Sequence, residues 1–126
     1  EVELIPQGTL IEQIRAGGFG LGGVLTKTGL GTEVEKGKMI ININGEDYLL
    51  EKPLRANVAL LYAEKADESG NLTYHGTTRN FNPYMGAAAD LVIVEAKEIV
   101  KVGEISPDDV IVPGIFVDHI VYGGAE

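Results

Sequence analysis

An α/β fold with a mostly parallel open sheet, short helices and a β-hairpin extension is the architecture this sequence predicts, and three observations predict it. Residues 57–63 (NVALLYA) and 91–95 (LVIVE) are nearly unbroken apolar runs of strand length, the pattern of strands buried on both faces in a parallel sheet. Between them Asn82-Pro83 opens a helix, so strand, helix and strand follow one another in the order of a parallel crossover. Ahead of both, residues 39–43 and 48–50 flank Asn44-Gly45, a dipeptide that accepts the positive φ angles of a tight hairpin.

Taken in order, the chain opens with a short apolar strand over residues 2–5 and turns at Pro6-Gln7-Gly8. Thr9 then offers a helix N-cap with Glu12 three residues on, the spacing of a capping box. Leu10, Ile11 and Ile14 give that helix an apolar face, and Gly17 suits the left-handed position that closes it. Eight glycines follow one another closely at 8, 17, 18, 20, 22, 23, 29 and 31, with Thr26, Thr28 and Thr32 as the main polar side chains among them. A glycine-rich turn between a strand end and a helix start directs backbone N–H groups outward, so it suits a carboxylate, a thioester oxygen or a phosphate. The side chain of Gln7 shares that mouth.

Past the hairpin, which Pro53 ends, and the first buried strand, residues 66–71 form a polar turn and residues 72–75 a short strand. Asn82 as cap and Pro83 at the first helical position open a helix over 84–89, rich in small residues, which Asp90 closes before the second buried strand. Residues 97–103 fit an edge strand and a short helix equally. Ser106-Pro107-Asp108-Asp109 starts one helical turn, 111–114 is a loop and 115–122 a final strand. No repeat, low-complexity segment or linker interrupts the chain, and 126 residues predict one domain.

Composition narrows the function. Ten basic against nineteen acidic residues, a net charge of −9, disfavour nucleic acid, and they leave no obvious cations for the phosphates of a large anionic substrate. No apolar run approaches the ~20 residues of a membrane-spanning helix and no signal peptide pattern opens the chain, so a membrane is not among the expected partners. With no cysteine there is neither disulfide nor thiol catalysis, which is compatible with a cytoplasmic protein. His75 and His119 stand alone, without the neighbours a metal site needs. Ser69 and Ser106 sit in turn sequences with no nucleophile elbow. The pairs Glu33/Glu35, Glu46/Asp47, Asp67/Glu68 and Asp108/Asp109 fall where solvated carboxylates are ordinary, and Asn80 and Asn82 read as helix-entry residues. Gly18, Gly20 and Gly23 match the G-x-G-x-x-G spelling of dinucleotide folds, but they follow a helix instead of a strand.

The ordered blocks PQGTLIEQIRAGGFGLGG, TKTGLGT, ININGEDYLLEKPLRANVALLYAEKAD, GNLTY, RNFNPYMGAAADLVIVEA and PGIFVDHI resemble the alpha subunit of the family I CoA-transferases nearly end to end. That resemblance implies a CoA-transferase-like fold and transfer of coenzyme A between an acyl-CoA and a short-chain carboxylic or 3-oxo acid. Coenzyme A is then a substrate, and no cofactor or metal is expected. Alpha subunits of this family are longer at the N-terminus, and this sequence begins at Glu1, so residues 1–126 are read as the C-terminal portion of such a domain. The family's nucleophile is a glutamate in a Ser-Glu-Asn-Gly motif of the beta subunit, which forms an anhydride and then a glutamyl-CoA thioester. No S-E-N-G occurs here, so no catalytic nucleophile is expected in this chain and a beta subunit is expected as partner in a hetero-oligomer. By the same resemblance Gln7 faces the acyl group as an oxyanion or substrate-binding residue, with Gly8 beside it and Gly18, Phe19 and Gly20 lining the pocket. Two other outcomes stay open: a catalytically inert fragment or interaction domain, and an acyl-CoA hydrolase of similar architecture.

Overall fold

In the computed structural model, which describes residues 2–124, the chain divides at Arg55/Ala56 into two units, where the sequence shows no linker and predicts one domain. The first, ending at Arg55, holds a helix, α1 (Gln7–Gly18), and a three-stranded antiparallel sheet of β1 (Val24–Thr26), β3 (Glu46–Glu51) and β2 (Met39–Ile43), in that spatial order. The hairpin forms as its turn residues demand. Asn44 and Gly45 take φ values of 53° and 86°, Ile43 pairs with Glu46, and Asn42 ties the turn by accepting from Gly45 N at 3.0 Å.

Residues 2–5 are not a strand. Pro6, with φ −56° and ψ 136°, is itself the N-cap, and the helix starts at Gln7, three residues earlier than a Thr9 cap would set it. Thr9 therefore lies inside α1 and faces inward, 5% exposed, while Glu12 turns to Arg15. The inward face of α1 is Thr9, Gln13, Ile14, Ala16 and Gly17, with Leu10 and Ile11 only half-buried. Its C-terminus closes with Gly20 at φ 70° and Leu21 N donating to Ala16 O, so Gly20, not Gly17, takes the left-handed position. Gly17 serves close packing, because a Cβ there would overlap the Leu54 carbonyl.

The second unit, from Ala56 onward, carries a four-stranded sheet in the order β5 (Leu72–Thr73), β4 (Ala56–Asp67), β6 (Ala89–Val100), β7 (His119–Tyr122). β4, β6 and β7 run parallel and β5 is antiparallel at one edge, so the mostly parallel sheet expected from the apolar runs is present. Residues 97–100 continue β6 beyond its pairing with β7, which ends at Ala96, and pair with β4 alone, so of the two alternatives the strand with one open edge is the one formed; the last strand starts later than expected, after a 3-10 turn at Gly114–Phe116. α2 (Asn82–Met85) is a single turn followed by a 3-10 turn, Gly86–Ala88. Its N-cap is Phe81; Asn82 instead accepts from Tyr62 N at 3.1 Å and donates to Thr78 O at 3.0 Å, fastening the helix to β4.

One face of this sheet is core: Ala59, Leu61 and Ala63 of β4 and Val92, Val94 and Ala96 of β6 pack with Leu72, Tyr74 and Val112. The other is not. Val58 and Leu60 are 47% and 70% exposed, so the runs read as doubly buried are buried on alternate residues only.

Candidate functional site

The first three N–H groups of a helix have no partner within it, and in α1 these belong to Gln7, Gly8 and Thr9. Pro6 brings no capping side chain, and the first turn holds no acid to neutralise the positive end of the helix dipole. This bare terminus opens on a cavity of about 370 Å³. Gly8, Thr9 and Glu12 line its helix side, and Leu25, Thr26 and Thr28 its strand side. The pairing of β1 with β3, Thr26 against Leu49, holds that strand side in place. Thr26 Oγ1 accepts from Thr28 N at 3.1 Å, which fixes the turn leaving β1.

The electrostatics favour an acceptor in the ligand. Among the described residues Glu12 is the only carboxylate that lines the cavity, and its Oε2 takes both Arg15 Nη2 at 2.7 Å and Arg15 Nε at 2.9 Å. A carboxylate held by a forked guanidinium is a poor nucleophile, and its charge is largely offset. What remains is a rim of backbone N–H donors and threonine hydroxyls, an arrangement suited to a carboxylate or thioester oxygen; Gln7, exposed at the same helix end, does not itself line the cavity.

The expected site residues separate into two groups. Gln7 and Gly8 share the N-terminus of α1, whereas Gly18, Phe19 and Gly20 lie at its other end, about 16 Å away at 1.5 Å per residue. Neither Phe19, 57% exposed, nor its glycine neighbours line the cavity, because the helix they were expected to follow at a turn stands between them and it. Thr26 and Thr28, noted in the sequence only as polar members of the loop, do line it. Thr9 joins them through burial that a reading of it as cap could not show.

A second polar arrangement in this unit has no sequence signature. Glu51, 2% exposed, accepts from Gln13 Nε2 at 3.1 Å and from Lys38 Nζ at 2.7 Å, which ties α1, β3 and the start of β2 together. Gln13 Oε1 has no partner. In the second unit, Asp67 is also buried, against the expectation of a solvated carboxylate. Burial pushes its pKa up, but the Asn71 side chain and the backbone N–H groups of Asn71, Ser69 and Gly70 outweigh that and hold it below the usual carboxylate value. It organises the turn between β4 and β5. Tyr74 is buried with its hydroxyl unpartnered, and desolvation raises its pKa above that of a free phenol. His75 and His119 are exposed on separate elements, and no group of three or more His, Asp or Glu side chains gathers to hold a metal among the described residues.

Comparison with known proteins bears on what this geometry is for. The sequence profile of the coenzyme A transferase family matches residues 1–123. The alpha subunit of the acetoacetyl-CoA:acetate/butyrate CoA transferase of Clostridium acetobutylicum is 60% identical over 121 residues, covering 96% of this chain and 56% of that protein. The alpha subunit of the acetate CoA-transferase of Escherichia coli is 54% identical, covering 96% and 55%. The chain thus spans about half the length of the curated relatives it matches. Among solved structures, glutaconate coenzyme A-transferase from Acidaminococcus fermentans superposes with a TM-score of 0.80 at 22% identity, over 94% of this chain and 44% of that one, a likeness of fold.

Proposed function

Since the chain belongs to the coenzyme A transferase family, we propose that it supplies one wall of a site where coenzyme A moves between an acyl-CoA and a short-chain carboxylic or 3-oxo acid. The other wall, with the attacking glutamate, comes from a beta subunit in a cytoplasmic hetero-oligomer. The observation that carries this reading is the bare N-terminus of α1 facing a cavity whose one carboxylate among the described residues, Glu12, is already engaged by Arg15. Such a wall binds and polarises an acyl group but attacks nothing.

In the reaction so divided, the partner's glutamate attacks the thioester carbonyl and expels CoA thiolate, leaving a mixed anhydride. The thiolate then attacks the glutamyl carbonyl and releases the first acid as a carboxylate. A second acid reverses both steps. Each attack places negative charge on an acyl oxygen, and the Gln7 amide with the N–H groups of Gln7, Gly8 and Thr9 are the donors proposed to stabilise it. Thr26 and Thr28 are proposed to orient the departing carboxylate from the far side. Gly18, Phe19 and Gly20, about 16 Å along α1 from Gln7, are given no role in that contact.

The test is chemical trapping. The chain is assembled with its cognate beta subunit, supplied with acyl-CoA and no acceptor acid, and reduced with borohydride. The expected outcome is a reduced glutamate in the partner's Ser-Glu-Asn-Gly segment and an unmodified chain here. Modification of a carboxylate of this chain overturns the division of labour. Sustained release of free CoA in the absence of acceptor makes the assembly a hydrolase.

A further inference from the structure

The two walls of the cavity at the start of α1 belong to different elements, with Gly8 and Thr9 on the helix and Val24 and Thr26 on β1, so the gap between them is set from outside the cavity. Apolar packing does little to set it, because Ile14 and Ala16 are the only buried hydrophobic residues of α1. Glu51 meets both walls. Its backbone is the register partner of Val24, where β1 begins, and Gly23 lies so close that a Cβ there would sit 2.7 Å from the Glu51 carbonyl oxygen. Its carboxylate accepts from Gln13 Nε2 at 3.1 Å, and Gln13 is one turn beyond Thr9 on the same inward face of α1. The Gln13 carbonyl in turn accepts from Leu54 N at 2.9 Å, so one helical residue is fastened to the end of β3 and to the chain leaving it, by side chain and by backbone.

The fastening is a demanding one. Lys38 Nζ, 2.7 Å from the other carboxylate oxygen, balances the charge of Glu51. Gln13 keeps its own side-chain oxygen buried without a donor. That orphan follows from the pairing, since the amide turned over would set its oxygen against the carboxylate, and Glu51 therefore admits one orientation of Gln13. A methionine of similar length would fill the space and leave no buried polar atom unsatisfied. A polar tie that strands an acceptor where an apolar side chain would hold as well is explained by where it puts the helix, not by what it adds to stability.

We propose that Glu51, acting through Gln13, is a positioning residue for the acyl site: the length of its side chain fixes the gap between the N-terminus of α1 and β1, and that gap selects the size of the acid the cavity accepts; this rests on the transferase reading above. Neither Glu51 nor Gln13 lines that cavity, so neither touches the acyl group. Thr9 is about 6 Å along the helix from Gln13, four residues at 1.5 Å each, and one turn of helix moves as a rigid body. A shift imposed at Gln13 is therefore delivered to the donors of the first turn, where a displacement of about 1 Å is enough to slow a reaction about 10²-fold.

The test is a selectivity ratio. The chain assembled with its beta subunit is given acetyl-CoA as donor, and kcat/KM is measured for propionate and for hexanoate as acceptors. Their ratio does not depend on how much of the enzyme is folded, so a loss of stability alone leaves it where it was. Glu51→Asp keeps the acceptor but draws it one methylene toward β3, and α1 with it; the narrower gap is expected to raise the propionate-to-hexanoate ratio about 10-fold, the scale on which a pocket discriminates one methylene. Gln13→Met cuts the tie, leaves the Lys38–Glu51 pair intact and is expected to lower the ratio by admitting the longer acid. Leu72→Ala, a destabilising change in the second unit, is the control and is expected to leave the ratio unchanged. A ratio unmoved in both first-unit variants, or moved as far by Leu72→Ala, overturns the proposal and leaves Glu51 a stabilising residue only. If Glu51→Asp does not assemble, Gln13→Met decides alone. An unaltered complex that transfers coenzyme A to neither acid is a different result, which removes the transferase reading and the proposal with it.

Discussion

The two units of this chain bury different things. From Ala56 onward the interior is a continuous apolar cluster of strand residues with Leu72 and Val112 closed over them, and Asp67 is its one buried charge among the described residues. Up to Arg55 the buried set among the described residues is Ile14, Ala16, Gly17 and Leu49 together with Thr9, Gln13 and Glu51, three of seven polar. An interior of the first kind gains from every methylene removed from water. One of the second kind gains little and demands that its hydrogen bonds be made. The unit that holds the candidate site is thus the one whose interior is specified by polar pairing.

That contrast is sharpest at Leu72, which is fully buried in the second unit. Leu72→Ala should cost about 3–4 kcal/mol by lost transfer energy and an unfilled cavity, read as a drop in the urea midpoint. The same change at Leu60, 70% exposed, should cost under about 0.5 kcal/mol. Comparable losses at both would show that the outer face of the sheet is as buried as the inner one. In the first unit, Glu51→Ala strips Gln13 Nε2 and Lys38 of their acceptor and should cost about 3 kcal/mol, although it removes hardly any apolar contact. A double-mutant cycle with Gln13→Ala should show strong coupling, and simple additivity would mean that the polar interior is not a unit.

The smallest effect is expected at Asp67 and depends on pH. Its folded-state pKa lies below the unfolded value, so its hydrogen bonds stabilise the fold fully above about pH 4 and are lost as pH falls through the lower folded value. Asp67→Asn should cost about 1 kcal/mol at pH 6, and the difference from the unaltered protein should shrink toward pH 3. A difference that widens on acidification would reverse the sign of the shift.

What the sequence made legible follows from the same contrast. The hairpin at Asn44-Gly45 was readable because its turn needs positive φ at two adjacent residues, a local demand. The parallel strands were readable from apolar runs, although those runs do not say how many faces are covered. The site was only half readable. Gln7 and Gly8 stood out, but the start of α1 was misplaced because Thr9 and Glu12 have the spacing of a capping box, while Pro6, already fixed near −60° in φ, admits the helix directly after itself. Glu51, Gln13 and Lys38 carry no motif: they are separated by up to 38 positions, and only the folded chain brings them into contact.

The claim on which the functional account turns is that the exposed N-terminus of α1 touches the reacting acyl group through Gln7. Gln7→Ala, in the assembled complex with the beta subunit, isolates it, because Gln7 is exposed and its side chain makes no hydrogen bond among the described residues. The rate of acyl exchange should fall by about 10²-fold, the range for one lost oxyanion donor, with the melting temperature unchanged. An exchange rate equal to that of the unaltered complex would contradict the account.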